Sequence, residues 1–154
     1  MENIVNGFND IYSIIVNERK IGGLIEANKI NLRTGEEFTN AIITNIDYSG
    51  SIFYTLTFVA DNGERIIVNV NDISKIEAPF HKRVHQIKNK LFKEQKIKEK
   101  NSYLKRLCEL NKGAFVKTFL DEVLLLVEDI GTYNISEDID ISFLNVKDKV
   151  IKIA

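Results

Sequence analysis

The sequence predicts an α+β fold in the order N-terminal helix, small antiparallel β-barrel, basic helical region, amphipathic helix and C-terminal β-hairpin. Three observations carry this expectation. Apolar residues recur at helical spacing near the N-terminus, alternate strictly from Lys29 onward, and return to helical spacing after the single proline, Pro79. The dipeptide Asn62-Gly63 stands between two apolar runs, a strong short-range hairpin signal. Composition sets the scale: 154 residues, 44% of them apolar, suffice for one ordinary core or a small barrel with a helical appendage, divided as residues 1–80 and 81–154 and packed as one unit.

In the first element Ile4, Phe8, Ile11 and Ile15 share a helical face, and Gly22 and Gly23 follow Arg19 and Lys20 as its stop. A hairpin competes with this helix, because YSIIV and IGGLIE flank the polar NERK. The strands are KINLR, AIITNIDY with Ile42, Thr44, Ile46 and Tyr48 on one face, and IFYTLTFVA with Ile52, Tyr54, Leu56 and Phe58 on one face. Asp61, Asn62 and Gly63 lead into ERIIVNV through an expected type I′ turn, and ISKIE ends just before Pro79. Short antiparallel strands joined by tight turns are expected to form a small closed or nearly closed barrel, since closure removes exposed edges.

Beyond Pro79, Val84, Ile87 and Leu91 share one helical face and Leu104, Leu107 and Cys108 another. The stripe slips near Lys96 to Lys100, so one long helix and two helices broken at Asn101 and Ser102 both fit. Gly113 ends the region. Phe115, Phe119, Val123, Leu126 and Ile130 then line one side of a segment opposite Lys117, Asp121, Glu122, Glu128 and Asp129, with Gly131 just past its end. The run VLLLV keeps a hairpin open as the rival for residues 114–130. The tail, IDISFLNV, KDK and VIKIA, is expected to form the last hairpin.

Residues LRTGEEFTNAIITNID resemble the first half of the Sm-like motif: Gly35 in the turn, Phe38, Ile42 and Ile46 as apolar positions of the next strand, and Asp47 closing it. VNVNDISKIE is similar to that family's short fourth and fifth strands, and the likeness over residues 24–77 extends to SH3-like barrels. The chain departs from the motif at three points. Asn40 stands where the family has a second glycine, one extra residue separates Gly35 from Asp47, and Tyr48, Ser49 and Gly50 follow where a base-binding Asn is usual. The resemblance implies a small barrel and assembly edge to edge into a homo-oligomer.

Charge is laid out in blocks. Residues 1–80 carry six basic and eleven acidic groups, residues 81–106 ten and two, and residues 107–154 five and nine, so a chain of net charge -1 contains one segment of +8. Its bases, Lys82, Arg83, Lys88, Lys90, Lys93, Lys96, Lys98, Lys100, Lys105 and Arg106, are the candidate binding residues. Several phosphates neutralised by them would give sequence-independent affinity for RNA or DNA through counterion release. Lysine-rich composition suits phosphate contact better than base reading. The alternative is a protein-interaction module, such as an accessory or inhibitor protein of a phage or plasmid, with the same bases against an acidic protein surface. Abundant Ile, Asn and Lys, 55 of 154 residues, suggest A/T-rich coding and hence a low-GC bacterium, its phage or a plasmid. A third possibility is internal pairing with the seven acids between Thr118 and Val146, where no base occurs.

Catalytic and metal chemistry find little footing. His81 and His85 have i, i+4 spacing, and Glu77 lies four residues earlier, but Pro79 separates it from any shared helix. Cys108 sits among leucines, and the acid pairs Glu36-Glu37, Asp121-Glu122, Glu128-Asp129 and Glu137-Asp138 lack any phosphate loop, HExxH or GxSxG companion. The expectation is a non-enzymatic module without cofactor or metal. A lone cysteine fits a reducing compartment, and MENIVNGFNDIY resembles no signal peptide, so the expected location is cytoplasmic with no membrane partner.

Overall fold

Helical spacing at the N-terminus becomes helix α1 (Phe8–Val16) in the computed structural model, which describes residues 3–144. One further turn, α2 (Glu18–Ile21), follows, and Gly22 and Gly23 leave it with φ of 68° and 78°, a region glycine enters without steric cost. Gly23 has a second requirement: a Cβ there would lie 2.5 Å from the Lys82 carbonyl oxygen. Ile4 does not join the helical face. It belongs to a short strand, β1 (Asn3–Ile4), because its backbone pairs with residues near Phe80, and strand pairing overrides local periodicity.

The alternating stretch forms β2 (Leu24–Leu32), β3 (Glu37–Ser49), β4 (Ile52–Val59), β5 (Arg65–Asn69) and β6 (Ile73–Glu77), with a 3-10 turn over Val70–Asp72 between the last two. A further strand, β7 (Phe80–Lys82), occupies the start of the expected basic helix. Its residues pair with Leu24–Glu26 of β2, while β6 pairs with Lys29–Leu32 of the same strand. Ala78, at φ 47°, and Pro79 carry the chain from one strand to the next.

The antiparallel sheet runs β1-β7-β2-β3-β4-β5, with β6 also against β2. Among the described residues it has seven strands and is open, which corrects the expected closed or nearly closed barrel: β5 and β6 do not pair with each other and remain edges. Two details of strand geometry differ as well. A bulge between Ile43 and Asn45 puts Ile42 out of phase with Ile46, so Ile46 enters the main core while Ile42 packs with Val59 and Ile87. Ile52 and Tyr54 are exposed although Leu56 and Phe58 of the same strand are buried. The turn after β4 is not type I′. Gly63 N–H donates to Ala60 O and Ala60 N–H to Glu64 O, both at 2.9 Å, and only Gly63 (φ 86°) is left-handed, the signature of a type I turn closed by a glycine bulge. Asn62 contributes its side chain instead, accepting the Glu64 N–H at 3.0 Å.

The main core gathers Ile11 of α1 with Ile25, Ile30, Ile43, Leu56 and Phe58 of the sheet. Asn40, within β3, has φ 48°; asparagine tolerates this region better than most residues.

Two compact units divide the chain, Met1–Lys96 and Ile97–Ala154. The first therefore contains β7, a 3-10 turn over Val84–Gln86 and the opening turns of helix α3 (Lys90–Leu110), which runs unbroken through Asn101 and Ser102. The second contains the rest of α3 and helix α4 (Lys117–Ile130), a helix rather than a hairpin, with Gly131 following at φ 85°. Phe119, Val123 and Leu126 of α4 pack with Leu104 of α3. The expected terminal hairpin begins in described residues that form turns instead, with Ile139 N–H bonded to Ser136 O and Leu144 N–H to Ile141 O. Its remainder, from residue 145, lies outside the described residues.

Candidate functional site

The ten bases of the +8 segment meet different fates. Lys82 on β7 is buried and donates from Nζ to Glu26 Oε1 at 2.8 Å, with side-chain exposures of 3% and 1%. Arg83 donates from Nη1 to the Ile21 carbonyl at 2.9 Å, at the C-terminal end of α2 where free carbonyls favour a cation. In the second unit Lys100 pairs with buried Asp129 at 3.4 Å, and Lys105 pairs with Asp138 at 2.7 Å. Lys93 and Lys96 are half-buried. Lys88, Lys90, Lys98 and Arg106 are exposed and make no ion pair among the described residues.

Why Lys82 can be buried is visible in its surroundings. Glu26 accepts, besides the ammonium, the backbone N–H of Lys88 at 3.0 Å and that of Asn89 at 2.8 Å. A carboxylate with so many donors recovers much of its lost hydration. Asn89, fully buried, completes the arrangement: its amide donates to the carbonyls of Asn40, Val59 and Ala60 at 2.9, 3.2 and 3.1 Å, and its Oδ1 accepts the Phe92 N–H as the N-cap of α3. The segment from Lys82 to Phe92 is thus a strap. Ile87 and Phe92 press its apolar side onto Ile42, Val59 and Leu24. Nothing in the sequence marked Glu26 or Asn89, whose partners lie 56 and 49 residues away.

The remaining chemical candidates resolve as follows. His81, on β7, bonds through Nε2 to the Gly22 carbonyl at 2.8 Å, and His85 lies in the 3-10 turn, so the two do not share a helix face. No group of three or more His, Cys, Asp or Glu among the described residues is placed to hold a metal ion. Burial and the charge of Asp140 push the Cys108 thiol up, which keeps it protonated and weakly nucleophilic near neutral pH. Three acid pairs of the second unit each include a structural member. Asp121 pairs with Lys117 at 2.7 Å, Glu122 accepts the Tyr103 hydroxyl, Asp129 takes Lys100, and Asp138 takes Lys105 and the Ser136 hydroxyl.

A different surface is exposed on the sheet among the described residues. Strand β5 has β4 on one side and, among the described residues, no strand on the other. Ile67 at its centre is 67% exposed, and Ile52 and Tyr54 of β4 are exposed as well. Near the far end of β3, Tyr48 meets Tyr12 of α1 edge-on at 4.9 Å, with the two hydroxyls 3.1 Å apart. This contact holds the Tyr12 phenol above its usual range. No helix among the described residues is long and apolar enough to cross a membrane. Comparison with protein-family models, characterised proteins and solved structures returns no match.

Proposed function

We propose that this chain is a non-catalytic binding module of the cytoplasm that engages a protein partner through the free edge of its sheet. One observation carries the reading: β5 is an edge strand whose centre presents an outward isoleucine, Ile67, with no covering strand among the described residues and a single charge, Arg65, at its start, whereas proteins usually blunt such edges with charge, proline or a covering element. An extended segment of a partner adding to β5 would satisfy its unpaired backbone groups and bury Ile67. The Sm-like resemblance points the same way. A helix followed by strands in the order β6-β2-β3-β4-β5, with short strands at both edges, suits an SH3/Sm-like unit and makes a second copy of the chain one possible partner.

A second reading keeps nucleic acid as the ligand, and the exposure of Lys88, Lys90, Lys98 and Arg106 favours it. Against it, Glu94, Glu99 and Glu109 are also exposed on α3, so the solvent side of that helix is mixed in sign.

A photo-cross-linker placed at Asn69, or separately at Lys88, tests both readings in host extract with and without nuclease. The expected result is a discrete protein adduct from Asn69 that disappears when Ile67 is changed to Lys, with the melting temperature unchanged because Ile67 is largely exposed. An adduct of twice the chain mass from purified protein identifies a homo-oligomer. Cross-linking from Lys88 alone, lost on nuclease treatment, together with salt-dependent anisotropy on short RNA or DNA, would overturn the protein reading in favour of phosphate binding.

A further inference from the structure

A cavity of 320 Å³ opens within the second unit, between the C-terminal end of α3, the start of α4 and the loop after Ser136. Its volume lies at the small end of ligand sites, roughly 300 Å³ and upward, enough for one ring with a short chain. The apolar wall is a stack of rings. Phe143 lies against Phe115 at 5.1 Å and Phe119 at 5.6 Å, with planes only 29° and 28° apart. Phe115 is half exposed, an unusual cost for a phenylalanine unless something flat covers it.

The polar lining leans negative. Lys105 is already neutralised by Asp138 at 2.7 Å. That leaves Glu109 and Asp140 against Lys112. Asp140 is exposed and ionised, its carboxyl held below the usual range by Ser142, whose N–H it accepts at 2.9 Å. Its negative charge reaches across to Cys108, since it helps push that thiol up. A site with phenyl faces and an uncompensated carboxylate attracts a cation twice over, through the ring quadrupoles and through simple charge.

From this geometry we infer that the cavity binds a small aromatic ammonium compound, its ring laid against Phe115 and Phe143, which the buried Phe119 supports, and its cation beside Asp140. The inference is independent of the sheet edge and of any partner there. Cys108 lines the same cavity and serves as a reporter rather than as a reactant.

The test uses the full chain and three probes of matched size: phenethylamine, 2-phenylethanol and 3-phenylpropionate, titrated by calorimetry at low salt. The amine is expected to bind at least about 5-fold more tightly than the alcohol, with the carboxylate weakest, and to slow alkylation of Cys108 by iodoacetamide in proportion to occupancy. Asp140→Asn, at an exposed position, is expected to reduce the amine to the level of the alcohol, and Phe143→Leu to weaken all three. Equal affinity for the three probes, preference for the carboxylate, or binding that leaves Cys108 alkylation unchanged would each overturn the assignment. So would the absence of binding by every probe at about 10 mM, a concentration that detects even millimolar affinity.

Discussion

Lys82 and Lys105 come from the same basic run and both sit within hydrogen-bond distance of a carboxylate, 2.8 Å from Glu26 and 2.7 Å from Asp138. Their surroundings differ completely. The first pair is 3% and 1% exposed and shares its carboxylate with backbone donors; the second is 51% and 53% exposed in a different unit. Distance alone would rank them equal. Burial makes the first a fixed point of the fold, because removing one member strands the other without water, whereas water replaces either member of the second.

The largest expected effect follows from this contrast. Glu26→Ala removes the counter-charge of Lys82 and the acceptor for the Lys88 and Asn89 N–H groups together, and should cost about 3–5 kcal/mol of unfolding free energy by urea titration. Replacing both charges, Glu26→Leu with Lys82→Met, should cost less than the single change, since no buried charge is then left alone. A loss below about 1 kcal/mol for Glu26→Ala would show that water reaches the pair and that the strap is held by Ile87 and Phe92 instead.

A smaller effect is expected at the loop between β4 and β5. Gly63 holds φ 86°, and the nearest atom to an added Cβ, Leu91 Cδ1 at 3.5 Å, is at ordinary contact distance, so the Cβ itself fits and backbone strain is the cost that Gly63→Val must meet. We expect about 1–3 kcal/mol and a lower melting temperature. An unchanged melt would mean that the turn relaxes and that β5 is less firmly attached than its pairing with β4 indicates.

The parts of this architecture that were legible in the sequence are those written in short-range pattern. Alternation marked β3, β4 and β5, Asn62-Gly63 marked a hairpin, and the spacing of Phe119, Val123, Leu126 and Ile130 marked α4. What stayed hidden depends on distant partners. β7 reads as helix because Phe80 to Lys82 lacks any local strand signal and is extended only by its pairing with β2. The bulge near Thr44 shifts Ile42 to another face without a glycine or proline to announce it. The basic run showed its charge but not its destinations, since Glu26 is one unremarkable acid in a strand and Asp129 one of an adjacent pair. The turn at Gly63 was located correctly and typed wrongly, because Asn62 can serve a turn through its side chain as readily as through a positive φ.

The smallest effect belongs to the exposed pair, and its sign can be worked out. The hydrogen bonds from Lys105 and Ser136 hold the Asp138 carboxyl below its ordinary range, and Asp138 in turn raises Lys105. A depressed acid stabilises fully above its unfolded pKa, about 4, and that contribution is lost as pH falls through the lower folded value. A raised lysine contributes fully below its unfolded pKa, about 10.4, and the contribution is lost as pH rises through the folded value. The pair therefore acts across the whole neutral range and disappears only at the two extremes. Because both side chains are half exposed, Asp138→Asn should lower the melting temperature far less than Glu26→Ala does. The difference should also shrink between about 10 mM and 1 M salt, as the screening length falls from about 30 Å to 3 Å. A salt-independent loss would place the pair among dehydrated groups, and the contrast between the two lysines would then be one of degree.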